Sequence, residues 1–298
     1  MGALIEINTD GLAKLAETIS FALGGTARGE RKMADAKAYA AELEAKTNNK
    51  VALIKAQGED ALANYIEAKE SRKLRNTVAV IEKAQSHFSE GEKVSDEPVD
   101  EGWKNRFFNI VEEISDDELR EIWGRVLAGE IKKPKSYSLR TLECLRNLNK
   151  EEASLIVKVA PYFVNNDFIH KDCPISLVEN YVLQECGILL DDGNSIQYGF
   201  KVDAHTNHAL VLDCENALVM QNDSDNFIKC DLRIFKLSTA GKEIMKLVTI
   251  DKDRRASFIK SLVNDLFTHG FSKIYKQKII KNNGDSIETG GDKEEYNK

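Results

Sequence analysis

From about Glu30 to Phe88 the chain contains no proline and only one glycine, Gly58, in a stretch dominated by alanine, glutamate and lysine. Such a composition strongly favours helix. Its apolar positions are small and thinly spread: Ala34, Ala38, Ala41, Ala45, then Val51, Ile54, Ala61, Leu62, Tyr65 and Ile66. A stripe this narrow cannot fold alone and must pack on a partner helix, in this chain or another. The pattern predicts a long helix or a helical hairpin, with the "KTNNK" run at 46–50 as its break. We read it as a coiled-coil-like arm over residues 1–90; the bland reading is a helix pair docked on the chain's own second domain. Ahead of it, Thr9 or Asp10 caps a first helix with Leu12, Leu15, Ala16, Ile19 and Leu23 on its apolar face, ended by Gly24 and Gly25.

After the arm, "SEGEKVSDEPVDEG" reads as an acidic linker, assigned to 91–102. A helical bundle core is expected over 103–161. Trp103, Phe107, Phe108, Ile110 and Val111 form one apolar face. Ser115 and Glu118 form a capping box for a helix carrying Leu119, Ile122, Trp123, Val126 and Leu127 at helical spacing. Pro134 forbids continuation and pushes Lys133 out of helical geometry. Ser136 or Ser138 caps the next helix, and Asn149 with Glu152 boxes the one after. Gly124 and Gly129 each cost a helix about 1 kcal/mol relative to alanine. That cost makes sense where another backbone comes close.

From Tyr162 the texture alternates. "SIQYGFKVD", "HALVLD", "ALVMQ" and "FIKCDLRIFKLS" read as strands. They are flanked by helices at 175–186 and, with Phe258, Leu262 and Leu266 inward, after Asp251. This predicts a small α+β module with a winged-helix flavour over 162–281. Residues 282–298 are polar and read as a disordered tail. The fold class expected from these pieces is mainly α.

The net charge of −7 argues against non-specific nucleic-acid binding by the whole molecule. The five cysteines include no CxxC pair, so free thiols in a reducing cytoplasm are the expectation. No apolar run reaches the roughly 20 residues of a membrane span.

No residue set nominates a reaction. "GGTARGERK" lacks the GK[ST] ending of a phosphate loop and is preceded by no strand, so it reads as a helix–helix turn. His170 with Cys173 and His205 with His208 have metal-ligand spacing, but surface histidines are the better reading. The paired acids Asp116–Asp117 and Asp191–Asp192 are explained by capping and turns. No catalytic, cofactor-binding or metal residue is assigned. Glu130, Lys132, Lys133, Lys135 and Arg140 could frame an anion site. The preferred reading is a structural latch of Trp123, Gly129, Glu130, Pro134, Ser138 and Arg140, with Glu130 paired to Arg140 across the turn. Candidate nucleic-acid contacts are Arg72, Lys73 and Arg75 in one patch, and Lys252, Arg254 and Arg255 in another.

The run from Trp103 to Ile156 resembles an uncharacterised bacterial family, one of the domain-of-unknown-function families. The shared pattern is a Trp with paired Phe, then S-D-x-E, then W-x-x-x-L-A-G-E, then a proline and S-x-R-T-L. Trp103, Phe107, Phe108, Trp123, Leu127, Gly129, Glu130, Pro134, Ser138, Arg140 and Thr141 carry it, and Arg72 and Asn76 lie in register upstream. Members often have glycine after the loop proline, where this chain has Lys135. The layout more distantly resembles the abortive-infection alpha type, which implies antiviral defence as context by analogy. The function expected is a cytoplasmic, non-enzymatic scaffold that oligomerises or binds a protein partner and needs no cofactor or membrane. The alternative is a nucleic-acid-binding regulator using the C-terminal module.

Overall fold

A computed structural model describes residues 14–15, 17–19, 36–56, 58, 60–89, 92, 94–190, 196–283 and 286–297. The expected "GGTARGERK" turn, Leu12, Ala16, Leu23 and Asp191–Asp192 lie outside the described residues. The chain divides into two compact units, Met1–Arg146 and Asn147–Lys298.

The first unit is helical. Helices α1 (Ala36–Lys55) and α2 (Asp60–Ser86) pack on each other as a hairpin. Helix α1 runs straight through 46–50; the break comes ten residues later, where Gly58 takes φ 78°. Asparagine disfavours helix only weakly, whereas a left-handed turn wants glycine. Helix α2 continues into the core and packs on α4 (Asp117–Lys132), so the hairpin and the bundle share one helix. Leu15 and Ile19 are buried, in keeping with the face expected for the first helix.

Helix α3 (Glu101–Val111) is capped by Asp100, which accepts from the Trp103 amide. The preceding linker is tied down: Val99 is buried, and the Ser95 amide donates to the Lys132 carbonyl. The α4 cap falls one residue later than expected. Asp116, rather than Ser115, accepts from the Glu118 and Leu119 amides at 3.0 and 3.1 Å. A carboxylate at the cap adds a favourable charge at the helix N-terminus. Helix α4 ends at Lys132, with Lys133 extended ahead of Pro134, as the proline requires. Helix α5 (Leu139–Asn147) follows, with the Ser138 hydroxyl accepting from the Thr141 amide. Stacked Trp103 and Phe107, with Trp123 edge-on to Phe107, form the centre of this core.

The glycines in α4 fit close packing. A Cβ at Gly124 would lie 2.6 Å from Lys83 Cβ and 2.9 Å from the Ala84 nitrogen. One at Gly129 would lie 2.7 Å from the Tyr137 ring.

The second unit overturns the expectation of a mainly α chain. After α6 (Lys150–Val159), boxed by Asn149 and Glu152 as expected, come β1 (Phe163–Val164), β2 (Phe168–His170) and α7 (Leu177–Glu185). Then come β3 (Ile196–Val202), β4 (Asn207–Val211), β5 (Asn216–Gln221), β6 (Ile228–Lys236), α8 (Thr239–Met245), α9 (Lys252–Thr268), β7 (Lys273–Asn282) and β8 (Ile287–Tyr296). They build two four-stranded antiparallel sheets, β1-β2-β6-β3 and β4-β5-β7-β8. Strands from both sheets close one apolar core with Phe258, Leu262 and Leu266 of α9. The fold is α+β, and two sheets sharing a core replace the winged-helix arrangement expected here.

The tail is a correction of its own. Residues 287–296 form β8, paired along β7 across two irregularities. An edge strand is held mainly by backbone hydrogen bonds on one side, so its side chains need not alternate in polarity.

Candidate functional site

The turn between α4 and α5 gathers most of the residues that the sequence singles out. Glu130 projects from the last turn of α4 and is 1 % exposed. Its carboxylate accepts the Lys135 amide at 2.7 Å and the Tyr137 amide at 3.0 Å. The Tyr137 carbonyl in turn accepts Trp103 Nε1 at 2.8 Å. The Tyr137 ring lies over Gly129, which has no Cβ to obstruct it. Ser138 caps α5 and lies 3.1 Å from the Thr141 hydroxyl. Gly129, Glu130, Pro134 and Ser138 therefore meet at one turn, while Trp123 packs on Phe107 in the core. Arg140 does not join them; it is exposed, and the Glu130 carboxylate is turned to backbone amides.

Two of the three lysines of the turn, Lys132 and Lys135, are engaged with carboxylates around it, and Lys133 is exposed. Lys132 pairs with Glu92 at 2.8 Å and donates to the His87 carbonyl at 2.7 Å. Lys135 pairs with Glu97, which keeps its ammonium pKa above the ordinary value. The arrangement stabilises a turn, and of the five residues that could frame an anion site only Lys133 and Arg140 are exposed cations outside these pairs.

The family resemblance puts Asn76 in register, but the sequence assigns no role to it or to Arg120, the polar centre of this unit. Asn76, buried in α2, donates through Nδ2 to the Glu112 carbonyl at 2.9 Å and accepts Arg120 Nη2 at 2.8 Å. Arg120 Nε also donates to the Ile114 carbonyl at 3.2 Å. One amide thus joins α2, the end of α3 and the start of α4. The available signal was a lone asparagine before the apolar run Val78–Ile81.

The candidate nucleic-acid contacts fall in different surroundings. On α2, Arg72 and Arg75 are exposed, but Lys73 pairs with Glu112, which raises its pKa. On α9, Lys252 is exposed and Arg254 pairs with Asp251 at 3.6 Å. Arg255 is half-buried: it donates to the carbonyls of Pro161 at 2.7 Å, Phe163 at 2.6 Å and Leu212. Burial lowers its pKa to about 10, which leaves it charged at neutral pH. It ties α9 to the start of β1, to the residue two before it and to the residue after β4.

The histidine pairs do not converge. His170 is buried, with Nδ1 accepting the Asp172 amide at 3.2 Å. Cys173 is buried too, and desolvation raises its thiol pKa to about 12. His205 is exposed beside Asp225, and His208 stacks on Phe200 with ring centroids 4.2 Å apart. Two of the three histidines expected at the surface are thus drawn inward. Among the described residues no group of three or more His, Cys, Asp or Glu is placed to hold a metal. None of their helices is long and apolar enough to cross a membrane.

A cleft of about 370 Å³ lies along the hairpin, between Glu44 and Thr47 of α1 and Glu67, Leu74, Arg75 and Glu82 of α2.

Residues 62–171 match a family described as "Protein of unknown function (DUF2806)". The match runs from α2 through β2, so it holds the Asn76 centre, both tryptophans and the Glu130 turn. It leaves out α1 and most of the two-sheet unit. No curated protein and no solved structure matches the chain.

Proposed function

We propose that the chain is a non-enzymatic scaffold that binds a protein partner, or itself, through the outer end of the α1–α2 hairpin. The observation that carries this reading is a mismatch in burial. From Asp60 to Arg75, only Ala63 of α2 is buried; from Asn76 to Ala84 the helix buries five residues. At the outer end Leu53, Leu62 and Tyr65 are 65, 47 and 63 % exposed. A helix end that buries so little has little of its own to hold it, and large exposed apolar side chains there offer a surface to a partner. The compact turn at Glu130 and the Asn76 centre would then be the rigid base of the hairpin.

Bacterial antiviral defence in the cytoplasm is the setting we attach to this proposal, supported by the abortive-infection resemblance. The nucleic-acid reading is the weaker one. It keeps exposed Arg72, Arg75 and Lys252, but Arg255 serves backbone carbonyls instead.

The test replaces Tyr65 with a photo-crosslinking amino acid in cells. A covalent adduct to a protein chain, of any identity, is the expected result. Irradiation that yields no adduct at Tyr65, while the protein stays folded, overturns the scaffold reading.

A further inference from the structure

The cleft along the α1–α2 hairpin brings alternating charges and apolar side chains to one place. Its α2 wall runs from Glu67 through Ser71, Leu74 and Val78 to Glu82, and α1 faces it with Glu44. These α2 positions recur every three or four residues, the spacing of a seam between helices. Glu67 and Glu82 lie about 22 Å apart along the helix axis. Half-buried Leu74 and Val78 line the cleft between them. Arg75 lines it midway, about two turns from either acid. The charge along the cleft therefore runs minus, plus, minus. Glu44, Arg75 and Glu82 are exposed and hold no hydrogen-bond or ion-pair partner among the described residues. Glu67 has only a loose contact with Lys55, at 3.6 Å.

We infer that this cleft seats one amphipathic helix of a partner protein, which offers Lys or Arg to Glu67 and Glu82, an acid to Arg75, and apolar side chains to Leu74 and Val78. A groove about four turns long, walled by two helices, has the shape that takes a third. Charges flanking such a seam set orientation and partner choice. They also decide against a second copy of this chain. Laid over the whole cleft in either direction, its α2 would bring Arg75 beside Arg75 and acid against acid at both ends. Nucleic acid is disfavoured as well, because three carboxylates line the cleft against one guanidinium. Leu62 and Tyr65 lie about 140–160° around α2 from Val78. The site is therefore separate from the contact proposed at the outer end of the hairpin and does not rest on it.

The experiment uses the full chain and two synthetic helical peptides of about 20 residues, long enough to hold some helix in water. Both carry the same leucine seam and, through their outward residues, the same net charge. The first places Lys, Glu and Lys along the seam at two-turn spacing; the second places Glu, Lys and Glu. Fluorescence anisotropy of the labelled peptides measures binding. The native chain is expected to bind the first peptide roughly tenfold more tightly than the second at low salt, three matched pairs standing against three like-charge pairs. The difference should shrink as salt screens the exposed charges. A chain carrying Glu67→Lys, Arg75→Glu and Glu82→Lys together should reverse the preference, with tryptophan fluorescence reporting that it is folded. Failure of both peptides to bind the native chain overturns the inference, as does equal binding of the two or a preference that survives the charge exchange. If any of these occurs while Tyr65 still crosslinks to a protein, the scaffold reading stands and the cleft site falls.

Discussion

Glu130 and Lys135 are joined through the backbone rather than through their charges: the Lys135 amide donates to Glu130 Oε1 at 2.7 Å. Lys135 does so from φ 69°, in the left-handed region. Glycine enters that region without a steric penalty, whereas a residue with a Cβ is strained there. The Lys135 side chain turns outward to Glu97, so the backbone conformation, not the lysine, is what the turn requires. Lys135→Gly should therefore raise the urea midpoint of the first unit despite losing an ion pair. Trp103 and Trp123 are the chain's two tryptophans, and both lie in that unit. Their fluorescence follows its unfolding; a lowered midpoint would contradict the strain argument.

The two ends of the expected latch should behave very differently. Glu130→Ala strands two backbone amides that now bond the carboxylate, at about 1–3 kcal/mol for each buried group left unsatisfied. A combined loss of about 2–4 kcal/mol is expected by fluorescence-detected urea melts. Arg140→Ala, at an exposed position, should change stability by less than about 0.5 kcal/mol. Equal losses at the two positions would restore the side-chain pair and remove the backbone account.

Asn76 and Arg120 should prove coupled. Asn76→Ala removes an acceptor from a guanidinium and a donor from the Glu112 carbonyl, with an expected cost of about 1–3 kcal/mol. Arg120→Ala gives up the same contact from the other side. In a double-mutant cycle the combined loss should fall short of the sum by about 0.5 kcal/mol or more, the signature of residues in direct contact. Strict additivity would show that the hydrogen bond contributes nothing measurable.

Gly124→Ala tests helix packing against helix propensity. Propensity alone favours alanine by about 1 kcal/mol. The new methyl would press on Lys83 Cβ and the Ala84 nitrogen, and a main-chain nitrogen cannot swing away as a side chain can. Overpacking of this kind typically costs about 1–3 kcal/mol, so packing wins and the variant should melt earlier. A more stable Gly124→Ala protein would place the two helices farther apart than described.

These cases show which features can be read from sequence. Gly124 and Gly129 in a helix announce close approach because no other reason to accept their cost is evident. Pro134 stops a helix by its own covalent geometry, and the Asn149–Glu152 box is local. The misses are non-local or turn on small preferences. Ser115 and Asp116 are both competent caps, one residue apart. The polar run at 287–296 becomes a strand because β7 lies beside it, not because its own side chains alternate. Arg255, in the charged run "DKDRRA", looks like a surface cation. It is drawn half inward because Pro161, Phe163 and Leu212, distant in sequence, turn their carbonyls towards it. The mainly α expectation failed for the same reason: the pairing of eight strands is long-range information.

The two inward histidines make a pH prediction for the second unit. Burial lowers the pKa of His170 below 6.5, although Asp172 and Asp265 act in the opposite direction and Arg233 adds to the lowering. Burial alone lowers that of His208, whose Nε2 is buried without a hydrogen-bond partner among the described residues. A histidine with a depressed folded pKa binds its proton more readily when unfolded. Its stabilising contribution is complete above the unfolded pKa near 6.5 and is lost as pH falls through that value towards the folded pKa. Within that window each histidine can contribute a slope of up to about 1.4 kcal/mol per pH unit. Amide exchange of β3, β4 and β6, compared at pH 7.5 and 5.5 after correction for intrinsic rates, should show weaker protection at the lower pH. His208→Phe keeps an aromatic ring against Phe200 and removes one of the two titrating groups, so the dependence should shrink while protection at pH 7.5 holds. Protection that strengthens on acidification would mean that the histidines gain anionic partners in the fold, opposite to the burial described.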